Sequence, residues 1–180
     1  MEIERKFLIS KFPDLPICEQ FNVFQFYMAT SPVEVRVRSQ EKDGDIRYIL
    51  TFKSEGELLR RELEINITEQ IFNKLLLFVD KPAIHKIFKT YKLDGDLLLE
   101  CSLVDYNTDT EFMYAEIEFE TEELANQFDK NSLPFLLDEV TYDDYYKMKN
   151  YWNRRKNIII NDGRVVDYEV EQLKNSNIKL

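Results

Sequence analysis

Segment after segment of this chain carries a charge at every second residue, and acids share those rows with bases. Glu2, Glu4 and Lys6 alternate with Ile3, Arg5 and Phe7. Residues two apart lie on one face of a strand, so this opening places two carboxylates and an ammonium in a row. Val33, Val35 and Val37 likewise oppose Glu34, Arg36 and Arg38, and Tyr48, Leu50 and Phe52 oppose Arg47, Ile49, Thr51 and Lys53. Arg60, Glu62, Glu64 and Asn66 oppose Arg61, Leu63, Ile65 and Ile67, and Glu116, Glu118 and Glu120 oppose Ala115, Ile117 and Phe119. A single row of this kind is an ordinary solvated sheet face. The set is denser and more mixed in sign than solvation requires. Many antiparallel strands favour closure into a barrel, which removes exposed edges. A closed barrel with its charges inward accounts for the whole set.

The punctuation agrees with such a meander. Asp43-Gly44, Glu55-Gly56 and Asp94-Gly95-Asp96 are tight-turn signals between strand-like segments. Further strands are expected at 2–9, 21–28 (with weaker alternation), 84–93 and 97–104. Three helices are expected to cover the apolar outer face. One runs over 68–80 with Thr68 as its cap and ends at Pro82; a second covers 121–128 behind Thr121. The third covers 141–156, opened by a capping box of Thr141 and Asp144 and carrying Tyr145, Met148 and Trp152 at helical spacing. The expected organisation is one α+β domain over 1–156, followed by a polar tail at 157–180 with no assigned role.

Carboxylates and Arg/Lys enclosed together are costly unless paired or bound to ligand. An interior of this kind suits an anion and a divalent cation held together, such as polyphosphate with magnesium: carboxylate oxygens take the hard cation and Arg/Lys take phosphate oxygens. The net charge of −10 argues against a nucleic-acid partner. Cys18 and Cys101 lack metal-type spacing and read as reduced core residues, with their pairing left open. No signal-peptide pattern precedes Glu2 and no apolar run approaches membrane-spanning length, so a cytoplasmic protein without a membrane partner is expected. His85, the one histidine, neighbours Lys86 and should face away from the charged interior. The tyrosines at 142, 145, 146 and 151 read as helix packing, and Arg154, Arg155 and Lys156 as cations suited to a helix C-terminus.

The ordered motifs resemble those of the CYTH superfamily, the triphosphate tunnel metalloenzymes. They are Glu2-x-Glu4-x-Lys6, Val35-Arg36-Val37-Arg38, Leu50-Thr51-Phe52-Lys53, Arg61-Glu62-Leu63-Glu64, Ile84-His85-Lys86, Ala115-Glu116-Ile117-Glu118-Phe119 and Glu139-Val140-Thr141-Tyr142-Asp143. The resemblance runs from Glu2 to about Trp152. It implies a closed eight-stranded antiparallel tunnel binding a triphosphate-containing small molecule with two divalent ions, Mg²⁺ or Mn²⁺, in a monomer or homodimer. By the same resemblance Glu2, Glu4, Glu116 and Glu118 would hold metal, and Lys6, Arg36, Arg38, Lys53 and Lys86 would contact phosphate. Glu62, Glu64 and Glu100 would be acids of the tunnel wall that orient basic residues, and Glu2, Glu4 and Lys6 would stand at the chemistry, with Glu2 or Glu4 accepting the water's proton.

Two departures stand out. The family commonly shows Lys-x-Arg where this chain has Lys86-Ile87-Phe88, and an acid two residues after Glu100, where Ser102 stands. Loss of both is the signature of a lost ion pair. Lys92 lies on the same strand face as Lys86 and Lys89 on the other, so Lys92 is the better replacement. Lys147 or Lys149 could cap the tunnel, although a solvated helix face is the simpler account. The expected activity is metal-dependent hydrolysis of an inorganic or organic triphosphate. The alternatives are an adenylate cyclase of the class IV type and a binding protein without turnover, the latter motivated by Phe88 and Ser102.

Overall fold

The computed structural model describes residues 2–56 and 58–155, together with the backbone at 160–161 and 164–165. Nine strands make one antiparallel sheet: β1 (Glu2–Leu8), β2 (Ile17–Ala29), β3 (Glu34–Lys42), β4 (Asp45–Lys53), β5 (Leu59–Arg60), β6 (Glu62–Ile67), β7 (Ile84–Lys92), β8 (Leu98–Val104) and β9 (Phe112–Glu118). Their order is β5-β1-β9-β8-β7-β2-β3-β4-β6. The two ends of that order, β5 and β6, are separated in sequence by Arg61 alone. The sheet therefore curls back on itself as a nearly closed barrel.

Nine strands replace the expected eight because the segment 60–67 is not one strand. At Arg61 the backbone leaves the ladder for Ser54: the Ser54 N–H donates to the Arg61 carbonyl at 2.9 Å and the Arg61 N–H to Ser54 Oγ at 3.0 Å. Beyond that break β6 pairs with β4, while β5 pairs with β1 through Glu2–Arg60 and Ile3–Leu59. The β3–β4 hairpin turns on Asp43 and Gly44, both at positive φ (54° and 88°), as a right-twisted two-residue turn requires.

Three short helices attach to this wall. α1 (Glu69–Leu75) starts at Thr68, whose hydroxyl accepts the Ile71 N–H, and tightens into a 3₁₀ turn at Leu76–Phe78 before Pro82. α2 (Glu122–Gln127) starts at Thr121 in the same way. α3 is shorter than expected, Met148–Arg154. The expected capping box does not form because residues 138–141 run beside β1. The Val140 N–H donates to the Lys6 carbonyl at 2.8 Å, and the Lys6 N–H takes the Thr141 hydroxyl at 3.0 Å. Asp143 instead caps a 3₁₀ turn at Asp144–Tyr146.

The hydrophobic core lies in two clusters, most of it on the outer face of the wall, with Tyr27, Tyr114 and Met148 of the first reaching the cavity. One gathers Phe26, Val37, Ile84 and Val104 under Phe72 of α1 and Trp152 of α3. The other gathers Ile3, Phe7, Leu99, Cys101, Ala115 and Ile117 against Ala125 of α2. Val37, Ile3, Phe7, Leu99, Cys101, Ala115 and Ile117 alternate with the charged positions, as the sequence pattern requires, whereas Ile84 and Val104 share the strand face of Lys86. Cys101 is buried there, but Cys18 is exposed, and both are free. Among the described residues no helix is long and apolar enough to cross a membrane.

Candidate active site

The barrel encloses a cavity of about 380 Å³. All twelve residues picked out by sequence line it: Glu2, Glu4 and Lys6 on β1, Arg36 and Arg38 on β3, Lys53 on β4, Glu62 and Glu64 on β6, Lys86 on β7, Glu100 on β8, and Glu116 and Glu118 on β9. The register places them in rows across the wall: Glu4 faces Glu118, Lys6 faces Glu116, and Glu116 faces Glu100.

Lys6, Arg36, Arg38, Lys53 and Lys86 each find an acid or a polar partner. Lys53 Nζ lies 2.9 Å from Glu2 and 3.0 Å from Glu62, and Lys6 Nζ 2.9 Å from Glu116. Arg36 approaches Glu62 at 3.5 Å and Glu34 at 3.7 Å, and Arg38 donates to Glu64 at 2.8 Å. Lys86 donates to the Tyr114 hydroxyl at 2.9 Å, and Lys6 stands 3.8 Å over the Tyr114 ring.

These surroundings separate the carboxylates. Burial raises Glu2 and Glu4, with Glu116 adding to the rise at Glu4. Glu118 is raised by burial and by Glu2 and Glu4. Glu100 is pushed up to about 8 by burial and by Glu116 opposite. Glu116 is also desolvated, but Lys6 and Lys86 outweigh that and hold it down at about 2. Lys86, enclosed and near Arg36, falls to about 7. The carboxyl oxygens are hard donors suited to Mg²⁺ or Mn²⁺, and a divalent ion would relieve the crowding that raises Glu2, Glu4 and Glu118. As arranged, however, no three of the described acids stand together in a metal-ligating cluster, because Lys53 and Arg60 occupy Glu2 and Glu4.

Arg60 is the main residue that sequence reasoning left out of the site. It lines the cavity and pairs with Glu4 and, at 3.6 Å, with Glu2. Its place in the Arg60/Glu62/Glu64 row was the available signal. Glu34, Gln25, Tyr27 and Tyr114 also line the cavity. Glu34 lay in a charged row, whereas Gln25, Tyr27 and Tyr114 carry no charge and gave no alternation to read.

The departures resolve differently from expectation. Phe88 and Ser102 face each other across β7 and β8, and both line the cavity. Neither lysine replaces the missing cation: Lys89 stands 4.3 Å over the Phe12 ring, and Lys92 is exposed at the strand's end, away from the cavity lining. Lys147 and Lys149 belong to the lining rather than to a purely solvated face, and Lys147 pairs with Asp144 at 2.7 Å. His85 stacks on Phe24 at 4.8 Å, away from the cavity. Tyr151 packs in the core, while Tyr142 and Tyr145 are exposed. Arg155 serves a tertiary contact rather than the end of its helix: it pairs with buried Asp105 and donates to the Ala83 carbonyl. Lys156 and most of the tail lie outside the described residues.

No protein-family model matches the chain. It is 34% identical over 150 residues to an inorganic triphosphatase of Nitrosomonas europaea, covering 82% of this chain and 94% of that protein. A crystal structure of an inorganic triphosphatase superposes with a TM-score of 0.59 at 31% identity, covering 84% of this chain and 93% of that one. A Pyrococcus horikoshii protein of 16% identity, covered over 97% and 99% of the two chains with a TM-score of 0.52, shares the fold. With the charged tunnel in place and a relative of that identity spanning most of its length, the chain belongs to the CYTH superfamily of triphosphate tunnel metalloenzymes.

Proposed function

We propose that the chain hydrolyses a phosphoanhydride bond of a triphosphate inside the tunnel, in a reaction that depends on divalent metal. One observation carries the reading: a single cavity holds acids and bases in near balance, already paired with one another. Two divalent cations nearly cancel the charge of one triphosphate, so both can enter together without leaving uncompensated charge in the lumen. The similarity to an inorganic triphosphatase supports hydrolysis, and inorganic triphosphate as the first substrate to test.

Binding is then an exchange of partners. Lys53 and Arg60 release Glu2 and Glu4, Lys6 releases Glu116, and the freed cations turn to phosphate oxygens alongside Arg36, Arg38 and Lys86. Glu2, Glu4, Glu116 and Glu118 hold the metal. Glu62 and Glu64 remain on Arg36 and Arg38 and fix the guanidinium planes, and Glu100 backs the row behind Glu116. When bound, the metal supplies polarisation of phosphoryl oxygens and a lowered pKa for the attacking water. The fixed cations stabilise charge on the transferring phosphoryl group. Glu2 or Glu4 accepts the water's proton.

The test is phosphate release from inorganic triphosphate, ATP and thiamine triphosphate with Mg²⁺ or Mn²⁺, with cyclic AMP followed in the ATP reaction. Release that requires metal and disappears in Glu4→Gln is the expected result. Cyclic AMP with pyrophosphate would make the protein a cyclase, and binding without turnover would make it a sensor whose chemistry was lost at Phe88 and Ser102.

A further inference from the structure

Three polar atoms in the tunnel wall are buried without a hydrogen-bond partner among the described residues: Gln25 Oε1, Arg36 Nε and Arg38 Nε. They are neighbours. Gln25 is paired with Arg38 across β2 and β3, and Tyr27 with Arg36. Gln25 is 1% exposed and lines the cavity. A buried polar group left unsatisfied is costly, so this cluster calls for an explanation.

Proton accounting at Tyr27 supplies it. The Gln25 amide nitrogen donates to the Tyr27 hydroxyl oxygen at 2.8 Å. The phenol then only accepts, its own proton has no acceptor among the described residues, and the Gln25 amide oxygen has no donor. The oxygen and nitrogen of an amide are assigned from the hydrogen-bond network, and turning this one over repairs it. Tyr27 then donates to Gln25 Oε1. The Gln25 NH₂ takes the unpartnered position on the wall it shares with Arg38, its cross-strand partner, and Arg36 next to it, whose Nε–H groups also lack acceptors.

We infer that the Gln25 carboxamide is a substrate contact, whose NH₂ group donates to the phosphoryl oxygens held by Arg36 and Arg38 and whose carbonyl is locked in place by the Tyr27 hydroxyl. The inference rests on the proposed phosphate-binding role of those two arginines. A neutral donor suits the position. A third full charge beside two guanidinium groups would be repelled, whereas an amide adds hydrogen bonds to an anion without that cost. The contact gives the tunnel a direct means of favouring an anion with oxygen acceptors at this depth.

The experiment measures binding of inorganic triphosphate with Ca²⁺ in place of Mg²⁺, so that turnover is slowed, to wild type and Gln25→Met. Met keeps the length of the side chain and removes both amide groups. Binding about ten-fold weaker in the variant is expected, as for loss of a hydrogen bond to a charged group, together with a melting temperature close to that of wild type. In ¹⁵N-labelled wild-type protein, the Gln25 side-chain NH₂ resonances, identified by through-space contact with Tyr27, should shift on adding triphosphate. That arm stands even if the variant fails to fold. Unchanged affinity, or Gln25 resonances unmoved at saturating triphosphate, would overturn the assignment and leave Gln25 as a packing residue. Wild-type protein that binds triphosphate but releases no phosphate with Mg²⁺ or Mn²⁺ would refute the proposed hydrolysis and leave this contact intact.

Discussion

Glu100 and Glu116 face each other across β8 and β9, yet their surroundings drive them in opposite directions. Lys6 and Lys86 keep Glu116 ionised, and Glu100, buried against that charge, holds its proton to about 8. The sign of the consequence follows from linkage. A carboxyl raised in the fold stabilises it fully only below the unfolded pKa, and that stability drains away as pH rises towards the folded value. In metal-free protein, thermal stability should therefore fall between about pH 5 and 8. Glu100→Gln should flatten that limb, measured as melting temperature against pH. Lys86 gives a second readout at this scale. Burial beside other cations brings it to about 7, and an anion bound in the tunnel would restore its proton. Triphosphate binding near pH 8.5 should take up a proton, seen by calorimetry in buffers of different ionisation enthalpy, and Lys86→Met should abolish the uptake.

Among the elements, the short segment before β5 controls most for its size. Gly56 sits at φ 151°, where a side chain is disfavoured, and an added Cβ would fall 2.3 Å from the Leu59 carbonyl oxygen. Gly56→Ala must displace the backbone that delivers Arg60 to Glu2 and Glu4. A loss of about 1–3 kcal/mol is expected by denaturant titration, together with weaker metal dependence of phosphate release. This scale also separates what the sequence revealed from what it did not. Rows such as Glu2/Glu4/Lys6 and Arg36/Arg38 were legible because a barrel interior imposes a period of two on residues that are seldom enclosed. β2 was poorly legible because its inward positions are Val23, Gln25 and Tyr27, with no charge to mark the face. The break at Arg61 was hidden because the alternation of side chains continues across it while the hydrogen bonding changes. Thr141 looked like a helix cap because local spacing cannot show that the Lys6 N–H would claim its hydroxyl.

For the whole molecule, the arrangement inverts the usual layering. Apolar clusters stabilise the wall mostly from outside, and the lumen is held by ion pairs whose desolvation offsets much of their attraction. A bound polyanion with its metal should then stabilise the fold strongly. Triphosphate with metal at about 100 times its dissociation constant adds about 2.7 kcal/mol, or roughly 5–10 °C in melting temperature. Replacing Arg36 and Arg38 by alanine should remove that shift, checked by thermal unfolding with Ca²⁺ in place of Mg²⁺ to slow turnover.

The closure between β1 and β5 has a further consequence. Seven of the ring's junctions are laced by long ladders, but among the described residues this one pairs only Glu2 with Arg60 and Ile3 with Leu59, with one further bond from the Glu4 N–H to the Leu58 carbonyl at 3.3 Å. The circle behaves as a clasp. Thermal breathing will part it there first, as a lengthwise slit rather than at either mouth, and the slit exposes Glu2, Glu4 and Arg60 to water together. Amide protons of Leu59 and Arg60 should accordingly exchange with solvent well before those of β3 or β8, and triphosphate, by drawing both lips inward, should slow them.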